Sequence, residues 1–151
     1  ARRLGWRAVP GGGARSGGRL QLFQEGEWKC RQQLDLVQAA AKRAGMAIGL
    51  YKDMAVGIDP HGADAWAFQD QLVADASIGT PPELFSPNGQ RWGLAPFHPR
   101  QIRIAGYRLF ADCYRRTMQA CGVIRIDHAM GLFRLFWIPE GLVPAEGTYV
   151  G

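Results

Sequence analysis

Apolar residues recur at helical spacing at Cys30, Leu34, Val37, Ala41 and Ala44, and Gly45 follows as a stop. The spacing predicts a helix over about 27–44. Met46-Ala47-Ile48-Gly49-Leu50-Tyr51 is then a short apolar run without alternation, the pattern of a strand buried on both faces. A long excursion over about 54–98 breaks the periodicity. It holds Pro60, Pro81, Pro82, Pro87, Pro96 and many glycines, and leaves room for at most a short helix near 62–74. Pro99 occupies a good first helical position, and Ile102, Ala105, Leu109, Cys113 and Met118 share one face of a helix that Gly122 closes. Val123-Ile124-Arg125-Ile126 reads as a second short strand, ending at Asp127-His128. The order helix, strand, excursion, helix, strand indicates an α/β chain with a parallel sheet and right-handed crossovers.

Size and composition narrow this picture. The 151 residues are one domain's worth. They are too few for a complete (β/α)₈ barrel, which needs roughly 250. Hydrophobic content of 47% against 21% charged argues for a packed chain over a disordered one. No apolar run approaches the ~18 residues of a membrane helix, so no membrane partner is expected. Cys30, Cys113 and Cys121 are an odd number without a CxxC pair, which excludes a disulfide framework and a four-cysteine metal site. His61, His98 and His128 lack metal-ligand spacing, so neither metal nor cofactor is expected, and a reducing, cytoplasmic setting is the simpler reading.

The net charge of +5 is local. Arg2, Arg3, Arg7, Arg15 and Arg19 precede the first acid, Glu25, and from residue 20 onward the charges balance. An Arg/Gly stretch at 1–19 is open to two readings. One is phosphate contact with a nucleic acid, which salt would weaken. The favoured one is a solvated tail, because Gly11-Gly12-Gly13 and Gly17-Gly18 oppose a helix. The neutral body offers no basic face, so no nucleic-acid partner is expected.

Two acids stand at strand ends: Asp53 just past the first and Asp127 at the close of the second. In α/β barrels chemistry sits on the loops after the strands, so an acid there is more telling than one on a helix surface. A cap or turn role is the alternative for Asp53. Arg125 precedes Asp127 by two residues, and strand geometry puts the two side chains on one face. A guanidinium beside a carboxylate keeps it ionised and aims it, as a nucleophile needs, although a structural ion pair has the same pattern. His128 follows as a donor to a bound hydroxyl. In the excursion, Gly89-Gln90-Arg91-Trp92-Gly93 combines an amide and an aromatic with flexible flanks. Sugars are bound by such stacking and amide contacts. Trp66, Trp92, Phe97, Phe133, Phe136 and Trp137 are all stacking candidates. Most read as core, and Trp92, flanked by Pro and Gly, reads as a surface-loop residue.

Five segments taken together resemble the amylomaltase-type 4-alpha-glucanotransferases: Gly45 to Gly57, Ala76 to Pro82, Ser86 to Pro96, Arg125 to Leu132 and Trp137 to Gly141. The match runs from about residue 20 to the end, leaving 1–19 unmatched. The resemblance implies an alpha-amylase-type (β/α)₈ barrel, here a partial one holding about the third and fourth strands, with a loop-rich inserted subdomain at about 54–98. It implies transfer of alpha-1,4-glucan segments between maltooligosaccharides or amylose by retaining double displacement. By position, Asp127 resembles the nucleophile, Arg125 its orienting partner, His128 a sugar contact and Asp53 a supporting acid. Gln90, Trp92 and Tyr51 resemble substrate-binding positions.

The family's acid/base glutamate, in a Gly-Glu-Asp-Leu-Gly motif, does not occur in this sequence, nor does its His-Asp-Asn motif. The chain therefore reads as an internal fragment that is inactive alone. Glu140, after Ile138-Pro139, is not expected to replace the missing acid. The alternative is a non-catalytic carbohydrate-binding remnant that keeps Trp92 and its loop.

Overall fold

A computed structural model describes residues 17–151. The expectations for the stretch before residue 17 lie outside the described residues. The chain is a mixture of helices and strands and divides into two compact units, which take up residues 55–113 with 126–151, and residues 17–54 with 114–125. No helix among the described residues is long and apolar enough to cross a membrane.

The first unit is built on a four-stranded antiparallel sheet in the order β3-β2-β5-β6, with β2 Ala76–Thr80, β3 Gln90–Leu94, β5 Leu135–Pro139 and β6 Thr148–Val150. Ile78 lies opposite Leu94 on one side and Trp137 on the other, and Ser77 opposite Ile138. Alternation along β5 buries Phe136 and Ile138, while Leu135 and Trp137 face the other way. Ile78 and Ile138 are fully buried, and Ile58, Ala65, Leu72, Ala95 and Leu109 complete the core. The short helix expected near 62–74 is present as α2, Ala63–Ala67, followed by a 3-10 turn at Gln69–Gln71.

Two of these strands fall inside the excursion that the sequence presents as loop-rich. Prolines and glycines there mark turns between strands. Ser86-Pro87-Asn88-Gly89 closes as a tight turn, the Gly89 N–H donating to the Ser86 carbonyl at 2.8 Å. The β2 segment Ala-Ser-Ile-Gly-Thr is poor in β-formers, and its pairing with β5 joins residues about sixty positions apart. The register shifts between Ile78 and Gly79, and a side chain at Gly79 would strike the Gln90 carbonyl oxygen. Glycine is there because the neighbouring backbone comes so close.

The single helix expected to start at Pro99 is two: α3, Pro99–Ile104, and α4, Arg108–Thr117. Gly106 takes φ +66°, its N–H donates to the Arg103 carbonyl, and the Tyr107 N–H donates to that of Ile102. This pair of bonds is a Schellman motif, so the glycine ends α3 where the apolar spacing alone runs on.

The second unit holds α1, Gly17–Arg43, and a two-stranded sheet of β1, Tyr51–Met54, and β4, Val123–Ile126. Helix α1 starts ten residues ahead of the expected position, with Gly17 and Gly18 in its first turn. Its end matches expectation. Gly45, at φ +87°, donates to Lys42, and Met46 donates to Ala41, a second Schellman closure. The strand expected at 46–51 begins only at Tyr51. Gly49 takes φ +78°, which breaks extension. The Gln38 side chain accepts from the Leu50 N–H at 2.6 Å and donates to the Ile48 carbonyl at 3.1 Å, satisfying in place groups that a strand ladder would use. Burial on both faces is not found either, since Tyr51, Val123 and Ile126 are exposed. Gly122 does not cap α4. Its N–H donates to the Leu50 carbonyl at 3.0 Å, and a Cβ would strike the Ile48 carbonyl oxygen.

Candidate active site

In the second unit, β1 and β4 end in the predicted charges. Alternation along β1 puts Tyr51 and Asp53 on its exposed side. Lys52 points the other way and donates to the Gln119 carbonyl at 2.6 Å. Arg125, near the end of β4, meets Asp53 with Nη2 2.7 Å from Oδ2, a charge-assisted hydrogen bond. The guanidinium thus takes the acid of the neighbouring strand as a partner, a pairing across 72 positions that spacing along one strand does not suggest. Both side chains are more than half exposed, so the pair sets direction more than stability.

In the first unit, the turn after β4 carries Asp127 and His128. Asp127 is exposed. His128 adopts φ 48° and ψ 50°, the left-handed region, a conformation that costs a non-glycine residue about 1–3 kcal/mol and concentrates at functional sites. Its imidazole lies edge-on to Trp92, ring centres 5.2 Å apart at 81°. Its Nε2 is buried and has no hydrogen-bond partner among the described residues. Trp92 in turn donates from Nε1 to Gln90 Oε1 at 3.0 Å, a bond that period-two spacing on β3 allows. Gln90, Trp92 and His128 therefore form one connected group.

Trp92 departs from expectation in its setting: it is half-buried on a strand, where the flanking Pro and Gly suggest a surface loop. Of the other stacking candidates, Phe136 is core, whereas Trp66 and Phe133 are largely exposed.

Two supporting residues have no clear sequence signal. Ser77, buried, accepts from the Gly93 N–H at 2.9 Å and so pins β3 beside Trp92. Arg91, facing away from Gln90 and Trp92, donates to the carbonyls of Pro139 and Leu142, both at 2.7 Å, and lies 3.6 Å from Glu140. Glu140 itself is largely exposed in the turn after β5. Among the described residues, no group of three or more His, Cys, Asp and Glu could hold a metal ion.

Comparison with known proteins bears on this geometry. The 4-alpha-glucanotransferase family profile matches residues 14–151. A 4-alpha-glucanotransferase of Mycobacterium bovis is 44% identical over 124 residues, 82% of this chain and 17% of that protein. One from Haemophilus influenzae is 42% identical over 132 residues, 87% of this chain and 19% of that protein. The chain thus spans under a fifth of the length of these relatives. The crystal structure of amylomaltase from Corynebacterium glutamicum superposes with a TM-score of 0.77 at 43% identity, over 82% of this chain and 18% of that one. Amylomaltase from Streptococcus agalactiae, solved with acarbose, shares the fold at TM-score 0.61 and 19% identity, over 66% of this chain and 22% of that one. With a profile match across nearly all of its residues, the chain belongs to the 4-alpha-glucanotransferase family.

Proposed function

We propose that this chain is the part of a 4-alpha-glucanotransferase that carries the nucleophile and a glucan contact surface. In this reading β1 and β4 are the third and fourth strands of a (β/α)₈ barrel and the antiparallel sheet belongs to the inserted subdomain. Support for the barrel comes from the pairing of β1 with β4, each strand preceded by a helix, with Asp53 next to the end of β1 and Asp127 just past the end of β4.

Asp127 attacks the anomeric carbon of an alpha-1,4-linked donor. The glycosidic bond breaks, its electron pair leaves with the departing oxygen, and a glucosyl ester forms on the carboxylate. A second carboxyl protonates that oxygen, then takes the proton from the acceptor's 4-hydroxyl as the ester is displaced, so configuration is retained. The two carboxyls of such a site stand about 5–5.5 Å apart. In this reading Glu140, just past the end of β5, is not the second one. Arg125, anchored by Asp53, orients the nucleophile, while Gln90, Trp92, Tyr51 and His128 hold the sugar. The substrate is a maltooligosaccharide or amylose, no cofactor takes part, and the reaction is cytoplasmic.

The observation that carries this reading is the His128 imidazole, which sits beside Trp92 with a buried, unpartnered Nε2. An unsatisfied buried polar atom costs about 1–3 kcal/mol, and a sugar hydroxyl relieves it. A second reading, favoured by the connected Gln90–Trp92–His128 group, is that the isolated chain binds glucan without turnover. The test is Asp127→Asn in a full-length enzyme carrying this segment. Disproportionation of maltotriose is expected to fall by on the order of 10⁴-fold while maltotriose still binds. Turnover that survives the substitution removes Asp127 from the role.

A further inference from the structure

In the second unit, helix α1 grips the segment that leads into β1 at three backbone groups. The half-buried Gln38 carboxamide accepts from the Leu50 N–H and donates to the Ile48 carbonyl, and Lys42, one turn on, donates to the Ala47 carbonyl. A carboxamide suits this task because it offers an acceptor and a donor in one plane, as the edge of a strand does. The fit is close, since a side chain at Gly49 would strike the Gln38 carboxamide.

The grip ends where the two charged strands begin. Leu50 is held from both sides, its N–H by Gln38 and its carbonyl by the N–H of Gly122 at 3.0 Å. Gly122 directly precedes β4. From this bond equal runs of three residues lead to the ion pair, Leu50 to Asp53 along β1 and Gly122 to Arg125 along β4. The level at which Leu50 meets Gly122 therefore sets the level at which Asp53 meets Arg125, 2.7 Å apart. The ion pair is more than half exposed and too weak to fix that register by itself. We propose that Gln38 is a positioning residue for glycosyl transfer: its carboxamide sets Leu50 and, through the Leu50–Gly122 bond, holds Asp53 against the Arg125 guanidinium. The proposal rests on the roles given to Asp53 and Arg125 in the proposed function.

A carboxyl in place of the carboxamide separates positioning from packing. Gln38→Glu keeps the shape. Ionised, the new carboxyl still accepts from Leu50 but turns an oxygen toward the Ile48 carbonyl; protonated, it donates there as the amide does. That carbonyl favours the protonated form and raises the new group above the usual carboxylate value of about 4.3. The other charged groups around it are Asp35 and Lys42, a turn to either side on α1, and Lys52 of β1, which donates to the Gln119 carbonyl. All are common to variant and parent, so the ratio of the two isolates the new carboxyl. The experiment is disproportionation of maltotriose by a full-length enzyme carrying this segment, read as kcat of variant over parent from about pH 4.5 to pH 8. Hydrogen exchange resolved by segment accompanies it at each pH. For Gln38→Glu the expected ratio is close to one at the acid end and falls about tenfold as the pH rises, with exchange protection along β1 and β4 falling beside it. Gln38→Leu shows the loss at every pH, and adding Asp53→Asn to it lowers kcat no further, because both act by one route. A ratio for Gln38→Glu that does not change with pH, or losses that add in the double variant, overturns the proposal and leaves the proposed function standing. A parent that transfers no glucan overturns the proposed function, and this proposal with it.

Discussion

The two units differ in where their apolar side chains go. Every buried hydrophobic residue among those described, from Ile58 to Ile138, belongs to the unit of the antiparallel sheet. The unit of α1, β1 and β4 has none. There Phe23, Leu36 and Tyr51 are exposed by 66%, 66% and 59%, as much as many polar surface residues are. Yet this second unit carries the Asp53–Arg125 pair and hands the chain on to Asp127. One unit closes a core with its own residues, whereas the other presents amphipathic elements whose apolar sides have no partner within it. In the second unit a strand and its acid keep their local form while the two-sided burial that the apolar run 46–51 predicts is missing.

The comparison breaks most readily in the core. Ile138→Ala is expected to destabilise the first unit by about 2–5 kcal/mol, because the side chain is fully enclosed and leaves a cavity. Leu36→Ala on α1 should move stability by no more than about 0.5 kcal/mol. Urea unfolding followed by hydrogen exchange, resolved by segment, checks both. Equal effects would mean that α1 is packed as tightly as β5.

A second contrast sharpens the account of the sheet. Gly79→Ala forces a methyl group into the Gln90 carbonyl and is expected to cost about 1–3 kcal/mol, with loss of exchange protection along β2 and β3. The strain at Gly93→Ala comes from φ +72° alone, since nothing lies within 4 Å of the new Cβ, and its cost should stay near 1–2 kcal/mol, roughly the left-handed penalty.

The smallest effect is expected at the ion pair. Asp53→Asn should change stability by less than about 1 kcal/mol, because both partners are more than half exposed. In a full-length enzyme it should nevertheless slow transfer, by releasing the Arg125 guanidinium. A fall in thermal midpoint with unchanged turnover would recast the pair as purely structural.

What could be read from the sequence follows the range of the interactions involved. The end of α1 at Gly45, the first position of α3 at Pro99 and the span of β4 were all legible, because capping and short periodicity are local. The break at Gly106 was not: apolar spacing continues through it, and a glycine is ambiguous between a tolerated helical residue and a cap. The antiparallel sheet was hidden because β2 has little strand propensity and is held by pairing with β5, far along the chain. For the residues that the sequence singles out, the partners were not legible. The guanidinium of Arg125 bonds Asp53 on the neighbouring strand, a partner that spacing along one strand does not name. Trp92 was expected on a loop, and pairing with β2 sets it on a strand where Gln90 fixes its indole and His128 abuts its ring. Ser77 gave no signal, since a serine among small residues has no pattern until its hydroxyl meets the Gly93 N–H.

The central claim is that Asp127 forms the covalent bond to sugar. A glycosyl fluoride carries a leaving group that needs no proton, so the first half of the reaction can run without general acid help. The most direct measurement is peptide mapping by mass spectrometry of a full-length enzyme carrying this segment, after quenching with a maltosyl fluoride blocked at the 4-hydroxyl. The account predicts a maltosyl adduct on the peptide containing Asp127, absent from Asp127→Asn. An adduct on another carboxylate, with Asp127 unmodified, would contradict it.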